Sequence, residues 1–207
     1  MGMDNRVQRD VSRSNMNNQS ISAQILLYLR DLVVLFSAVM VLFLLCFRVV
    51  VVSGSSMNNT LINGDYLLLV SHNLYPNPKQ GDIIVASKKT FENGDPIVKR
   101  VIATEGQVVD IDFVTGIVYV DGIALQEEYT ATRTTVSEGV VFPITVDENS
   151  LFVLGDNRNS SKDSRSPEIG LIDKREVLGK AIFLVLPGTG VSEEKRDFSR
   201  IGALYYG

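Results

Sequence analysis

Apolar positions fall into two regimes along the chain. The first is a nearly unbroken run: Leu32 to Phe47 (LVVLFSAVMVLFLLCF) has only Ser37 as a polar residue, and four valines follow Arg48. A helix needs roughly 20 residues to cross about 30 Å of hydrocarbon. Leu32–Val52 supplies that length if Arg48 snorkels its head to the interface. A cleaved secretory signal has a shorter apolar core followed by a small-x-small site. Here the run leads into Arg48 and the valines, so a retained anchor is expected. Ahead of it, ISAQILLYLRD (Ile21–Asp31) groups its apolar residues as a helix does. Residues 1–20 are polar and rich in Asn, Ser and Arg, a composition that predicts disorder.

From Arg48 onward the period shortens to that of strands. β-rich runs recur between turn signals: VVVV, DYLLLV, DIIVA, PIVKRVIA, QVVDIDF, IVYVDG, LFVLGDN and KAIFLVL. DFVTGIVYVDG reads as a hairpin turning near Thr115-Gly116. No segment after residue 53 carries a long 3.6-residue apolar period. The expected fold class is therefore mainly β, an antiparallel β-sheet domain preceded by a single N-terminal transmembrane helix. The divisions are an N-terminal segment over 1–31, partly disordered, an anchor over 32–50 and a β-rich domain over 51–207.

Charge adds a lean in topology. Arg13 and Arg30 stand on the N-terminal side of the run against Arg48 on the other, which favours a cytoplasmic N-terminus. Residues 48–207 carry 16 basic and 21 acidic side chains, and no basic stripe suggests nucleic acid. The single cysteine, Cys46, permits no intramolecular disulfide, and with the single histidine, His72, it argues against a multi-His or Cys-rich metal site. No metal and no cofactor are expected.

Three clusters carry candidate chemistry. Gly54-Ser55-Ser56-Met57 is either a serine-rich turn or the seat of a nucleophile. A serine hydroxyl needs a base within hydrogen-bond reach. His72 sits in a polar, proline-containing loop and reads as an exposed loop residue. Lys99, within PIVKRVIA, has apolar neighbours that could strip water from its ammonium group; burial lowers a lysine pKa by roughly 3–5 units in full cases. The alternative is a lysine that snorkels from a strand or pairs with a carboxylate. The third cluster, GDNRNSSKDSR (Gly155–Arg165), is either an exposed loop or one braced by an Asp163–Arg165 or Asp156–Arg158 ion pair, with Ser161 placed to hydrogen-bond the base.

These three clusters, in this order behind one anchor, resemble the bacterial type I signal peptidase family. The resemblance covers roughly residues 32 to 187, and the GDNR…S.DSR block carries it most specifically; GDIIV (Gly81–Val85) and Ile169–Phe183 are also similar. It implies a Ser-Lys dyad on a mainly β fold outside the cytoplasmic membrane. Ser56, directly before Met57, falls on the nucleophile with Gly54 two residues ahead, and Lys99 falls on the general base. Ser161 becomes the partner of the lysine amine, and Asp163 and Arg165 a structural ion pair. The implied substrates are signal peptides of exported precursors, cut after a small residue in an Ala-x-Ala pattern, and the implied surroundings are a lipid bilayer. Val52, Met57, Leu61, Ile97 and Val98 flank the dyad and are candidates for the shallow substrate pockets.

The pattern also departs from the family. Asn59 stands where proline is common after the nucleophile, and Glu105 replaces a proline after the lysine block. Gly54 stands where some relatives place a hydroxyl that helps bind the oxyanion. That leaves the Ser56 N–H as the main donor, with Ser53 and Ser55 as candidates for a second. LPGTG (Leu186–Gly190) resembles a cell-wall sorting signal, but the seventeen-residue tail behind it (VSEEKRDFSRIGALYYG) is charged rather than apolar, so it reads as a turn after the last strand.

Overall fold

A computed structural model describes residues 4–89, 91, 94–190 and 195–204, with side chains from Ala23 onward. The chain divides into two compact units, residues 1–45 and 46–207. In the first, one helix, α1 (Asp4–Cys46), replaces the disordered segment, short helix and anchor that the patterning separates. Residues 1–3 and the side chains up to residue 22 lie outside the described part. Its stretch Ala23–Cys46 is 24 residues long, apolar enough to cross a membrane, and about 36 Å at 1.5 Å per residue.

The helix stops earlier than the apolar run does. Phe47–Val51, which patterning assigned largely to the anchor, is the first strand, β1, paired antiparallel with β2 (Tyr66–Ser71) from Phe47↔Val70 to Val51↔Tyr66. The physical reason is composition. Three consecutive β-branched valines are stiff at χ1 and fit a pleated surface better than a helix, and β2 offers a free edge. Hydropathy alone does not register that change.

The second unit is built on two antiparallel sheets. The remaining strands are β3 (Ile83–Ser87), β4 (Pro96–Thr104), β5 (Val108–Asp112), β6 (Ile117–Val120), β7 (Ile123–Ala124), β8 (Ile144–Thr145), β9 (Ser150–Leu154), β10 (Ile172–Asp173), β11 (Val177–Leu186) and β12 (Gly202–Ala203). The larger sheet runs β1-β2-β11-β3-β4-β9-β10, with β12 also on β11; the smaller runs β7-β6-β5-β8. All eight β-rich runs of the sequence contain strands. The two-residue strands β7, β8, β10 and β12 carry too little pattern to be seen in advance. The expected hairpin is β5–β6, where the Asp112 carboxylate accepts from Val114 N and Thr115 N across the turn.

Strands with one wet face alternate, as in β2 and β6, whereas four consecutive residues of β3 are buried because both its faces are covered. Three clusters fill the core. One gathers Val52, Met57, Leu61, Leu67, Leu69, Val85 and Leu184 beneath the loop after β1. A second holds Ile84, Ile97, Val101, Leu151, Val153 and Ile172. The third seals the small sheet with Ile102, Val109, Val118 and Phe152. LPGTG lies where β11 ends: Pro187 and Gly188 are buried, Gly188 N donates to Asp65 Oδ1 at 2.7 Å, and Gly190 N donates to Asn63 O at 3.2 Å. It is an internal turn against the 63–65 corner.

Candidate active site

Three pieces of chain converge at one site on the larger sheet. The loop 52–65 leaves β1 and returns as β2; β4 supplies Lys99; the loop 155–171 follows β9. Ser56 Oγ and Lys99 Nζ lie 2.8 Å apart, joined by a hydrogen bond across 43 residues of sequence. Ser56 is half-buried and Lys99 only 5% exposed. Lys99 sits between Val98 and Arg100 and pairs in register with Ile84 of β3, so the stiff ladder of a central strand fixes its Cα. Gly54 takes φ +89°, a left-handed conformation that a Cβ disfavours. Its N–H donates to Asn63 Oδ1 at 3.0 Å, so that donor is already committed.

The loop after β9 is closed by buried charge. Arg165 donates to both carboxylate oxygens of Asp163 at 2.8 Å, and both residues are fully buried. The same guanidinium donates to the carbonyls of Val136 at 2.8 Å, Arg158 at 2.6 Å and Ser161 at 3.2 Å. One side chain thus satisfies three carbonyls around the turn, and Asp163 Oδ2 accepts Gly155 N at 3.0 Å. Buried Ser161 places its Oγ 3.5 Å from Lys162 O. A Cβ on Gly155 would overlap Ser161 Oγ and lie 2.5 Å from Ser56 O; only glycine lets the two loops close on each other here.

The other ion pair differs from the sequence expectation. Asp156 pairs not with Arg158 but with Arg100, the residue after Lys99. Arg158 turns to Glu127, at 2.7 and 2.5 Å, and to Thr134 Oγ1 at 2.8 Å. The Tyr129 ring stacks 3.9 Å from the Arg100 guanidinium, and burial, then Glu127, push its phenol well above the usual range. Burial alone would lower the Arg158 pKa, but its hydrogen bonds and charge contact with Glu127 hold it above its ordinary value. Asp156 and Arg158 lie in the loop after β9, and the partner of Asp156 comes from β4, 56 residues away, which local spacing cannot show.

A groove of about 570 Å³ runs past the Ser56–Lys99 contact. It is lined by residues 50–56 on one side and by Phe91 and residues 95–99 on the other, with Ser160 and Lys162. Val52, Ile97 and Val98 are therefore groove residues. Met57 and Leu61 are not: at 1% and 0% exposure they belong to the core beneath the loop, pointing inward because the turn that exposes Ser56 buries its neighbour. Ser53 and Ser55 line the groove as well. His72 lines a separate cavity with Glu148, Asn149 and residues 173–175. Glu105, the departure after the lysine block, accepts from Asn149 N at 2.8 Å and Lys174 Nζ at 3.1 Å.

Residues 25–186 match the family model described as signal peptidase, peptidase S26. The chain belongs to the signal peptidase S26 family. It is 36% identical over 146 residues to a probable signal peptidase I-1 of Synechocystis sp., covering 67% of this chain and 70% of that one. With a signal peptidase I of Bacillus licheniformis the identity is 34% over 149 residues, covering 68% and 77%. A solved signal peptidase I from Enterococcus faecalis is 30% identical with a TM-score of 0.40, covering 50% of this chain and 96% of that one. Sequence reasoning about this S26 member missed Arg100, Glu127, Tyr129, Asn63 and Asn157. Arg100 and Asn157 had a signal, their places inside PIVKRVIA and GDNR, but membership of a motif declares no partner.

Proposed function

We propose that the chain is a membrane-anchored serine endopeptidase that removes signal peptides from exported precursors after Ala-x-Ala-like sites. The observation that carries this reading is the 2.8 Å contact between Ser56 Oγ and the buried Lys99 Nζ at the floor of an open groove. A neutral Lys99 amine accepts the Ser56 proton as Oγ attacks the scissile carbonyl. The Oγ–C bond forms, the carbonyl π pair moves to oxygen, and the Ser56 N–H binds that oxyanion. The ammonium then passes its proton to the leaving amine, the C–N bond breaks, and an ester on Ser56 remains. Water deprotonated by the same amine hydrolyses it.

The groove favours an extended peptide. β1 is the edge of its sheet, and β9 pairs with β4 only from Arg100 onward, so residues 96–99 keep one backbone edge clear of β9. A substrate strand laid between these edges gains main-chain hydrogen bonds, while Val52, Ile97 and Val98 leave shallow apolar room for small side chains. The Ala23–Cys46 helix anchors the chain with the catalytic unit on the extracytoplasmic side. Because Ser56 follows Cys46 by ten residues, tethering raises the local concentration of site and membrane-held substrate together.

The test is cleavage of a precursor with an Ala-x-Ala site by the full chain in detergent. Ser56→Ala and Lys99→Ala are each expected to lower kcat by about 10²–10⁴-fold or more. Equal cleavage by either variant, or none by the wild type, would overturn the assignment.

A further inference from the structure

Asn157 reaches the nucleophile loop from 102 residues away in sequence and holds both peptide groups next to Ser56. Its side-chain Nδ2 donates to Ser55 O at 3.0 Å, and its backbone N donates to Ser56 O at 3.0 Å. Ser55 O also accepts from Asn58 N at 3.1 Å. The Ser55–Ser56 peptide carbonyl is thus held from two directions. In a planar trans peptide the C=O and N–H vectors are antiparallel, so holding that carbonyl fixes where the Ser56 N–H points: away from Asn157 and Asn58. Among the described residues the Ser56 N–H donates to no acceptor.

From this geometry we infer that the Asn157 side chain is a positioning residue for the oxyanion donor, acting through the Ser55 carbonyl rather than touching substrate. The inference rests on the peptidase reading above and deepens it. With Gly54 N–H committed to Asn63 and no hydroxyl at position 54, the Ser56 N–H carries more of the oxyanion's charge here. A donor that must be aimed in advance loses its value if its peptide plane can rotate. Asn157 and Asn58 restrain that rotation, and Asn157 does so from the same loop that packs Gly155 against Ser56 O. The clamp therefore links the orientation of the donor to the closure of the two loops.

Asn157→Asp tests this, because it keeps the size and the backbone N–H but replaces the Nδ2 donor with an oxygen facing the Ser55 carbonyl. Three quantities are read on the full chain in detergent: kinetics on an Ala-x-Ala peptide, affinity for the matching peptide aldehyde, and affinity for the same peptide with its scissile amide reduced. The aldehyde forms a tetrahedral oxyanion-like adduct with Ser56; the reduced amide cannot. The expected result is a fall in kcat of about 10²-fold with KM changed by less than about threefold. Aldehyde affinity should fall in parallel while the reduced-amide peptide binds as before. Asn157→Ala, which removes the donor without adding an oxygen, should behave alike, with both variants melting close to the wild type.

The inference is overturned if kcat and aldehyde affinity both stay within about threefold of wild type in either variant. It is equally overturned if reduced-amide binding falls as far as aldehyde binding, or if lost activity tracks the unfolded fraction. A wild type inert on the Ala-x-Ala peptide defeats the peptidase reading itself and takes this inference with it. An active wild type with an equally active Asn157→Asp defeats this inference alone.

Discussion

Arg100 Nε and Nη2 donate to the two carboxylate oxygens of Asp156 at 2.8 and 2.6 Å, and neither side chain is exposed to solvent. The pair joins the strand bearing Lys99 to the loop bearing Gly155 and Asn157. Thr60 Oγ1, from the nucleophile loop, donates to the same carboxylate at 2.5 Å. All three pieces of the site therefore meet at one buried anion, one residue away from Lys99 on β4 and from Asn157 on the loop after β9. Charges taken out of water are costly to hold, but once paired, removing one partner costs more because the other stays behind unpaired.

Arg100→Met should accordingly destabilise the domain by about 3–5 kcal/mol, since buried Asp156 loses its two-pronged partner and keeps only the Thr60 hydroxyl bond and the nearby charge of Arg158. Replacing both members, Arg100→Met with Asp156→Leu, should recover part of that loss because no lone charge remains. Denaturant titration of the single and double variants measures both. A single variant as stable as the wild type would show that the pair does not hold the loops together.

Gly155→Ala probes the closest approach in the site. The added methyl meets Ser161 Oγ and Ser56 O, so one loop must move. Overpacking of this kind costs about 1–3 kcal/mol. On the proposed reading the expected signature is a larger effect on kcat, about 10²-fold, because displacing Ser56 Oγ by even about 1 Å spoils its geometry towards the scissile carbonyl. Steady-state kinetics beside a melting curve separate the two; unchanged kcat would mean that the loops have slack despite this close approach.

Glu138 offers a pH-dependent test of the braced loop. Burial, then the charge of Asp163, raise its carboxyl above the usual range, with Arg165 opposing. Its Oε2 is buried without a hydrogen-bond partner among the described residues, and the nearest Arg165 contact is 3.8 Å. A carboxyl whose folded pKa exceeds its unfolded value favours the fold when protonated. That contribution is complete below the unfolded value and disappears as pH rises through the folded one. Glu138→Gln should therefore raise Tm at about pH 8, with the advantage shrinking on acidification towards about pH 4. A Tm difference that is constant across this range, or that grows on acidification, contradicts the assignment.

The boundary between helix and domain can be tested by truncation. A chain starting at Cys46 retains β1 and should fold and cleave a soluble peptide. A chain starting at Val52 loses the strand that pairs with residues 66–70 and with it the wall of the groove formed by Val50 and Val51. Circular dichroism and peptide cleavage distinguish the two. Equal behaviour would show that β1 is dispensable for folding and cleavage.

Much of the β architecture was legible because strand period and turn residues are local properties. PIVKRVIA and DFVTGIVYVDG declare a strand and a hairpin without knowledge of their neighbours. The end of α1 was not legible: hydropathy counts Phe47–Val51 as apolar whether it lies in lipid or against β2, and pairing is a long-range event. The pocket assignments divided for a related reason. Val52, Met57 and Leu61 look alike as apolar residues near Ser56, and all three pack in one buried cluster; only the path of the turn brings Val52 to the groove wall as well.

What the amino-acid sequence determined by itself is the apolar N-terminal helix, the mainly β domain and the residue types able to carry Ser-Lys chemistry, since each depends on local composition and spacing. What the tertiary structure decided is which residues meet: Lys99 with Ser56, Arg100 rather than Arg158 with Asp156, and Asn157 with the Ser55 carbonyl. These contacts join positions 43 to 102 residues apart. Their partners are set by strand register and loop closure, and no property of one segment specifies the edge of another.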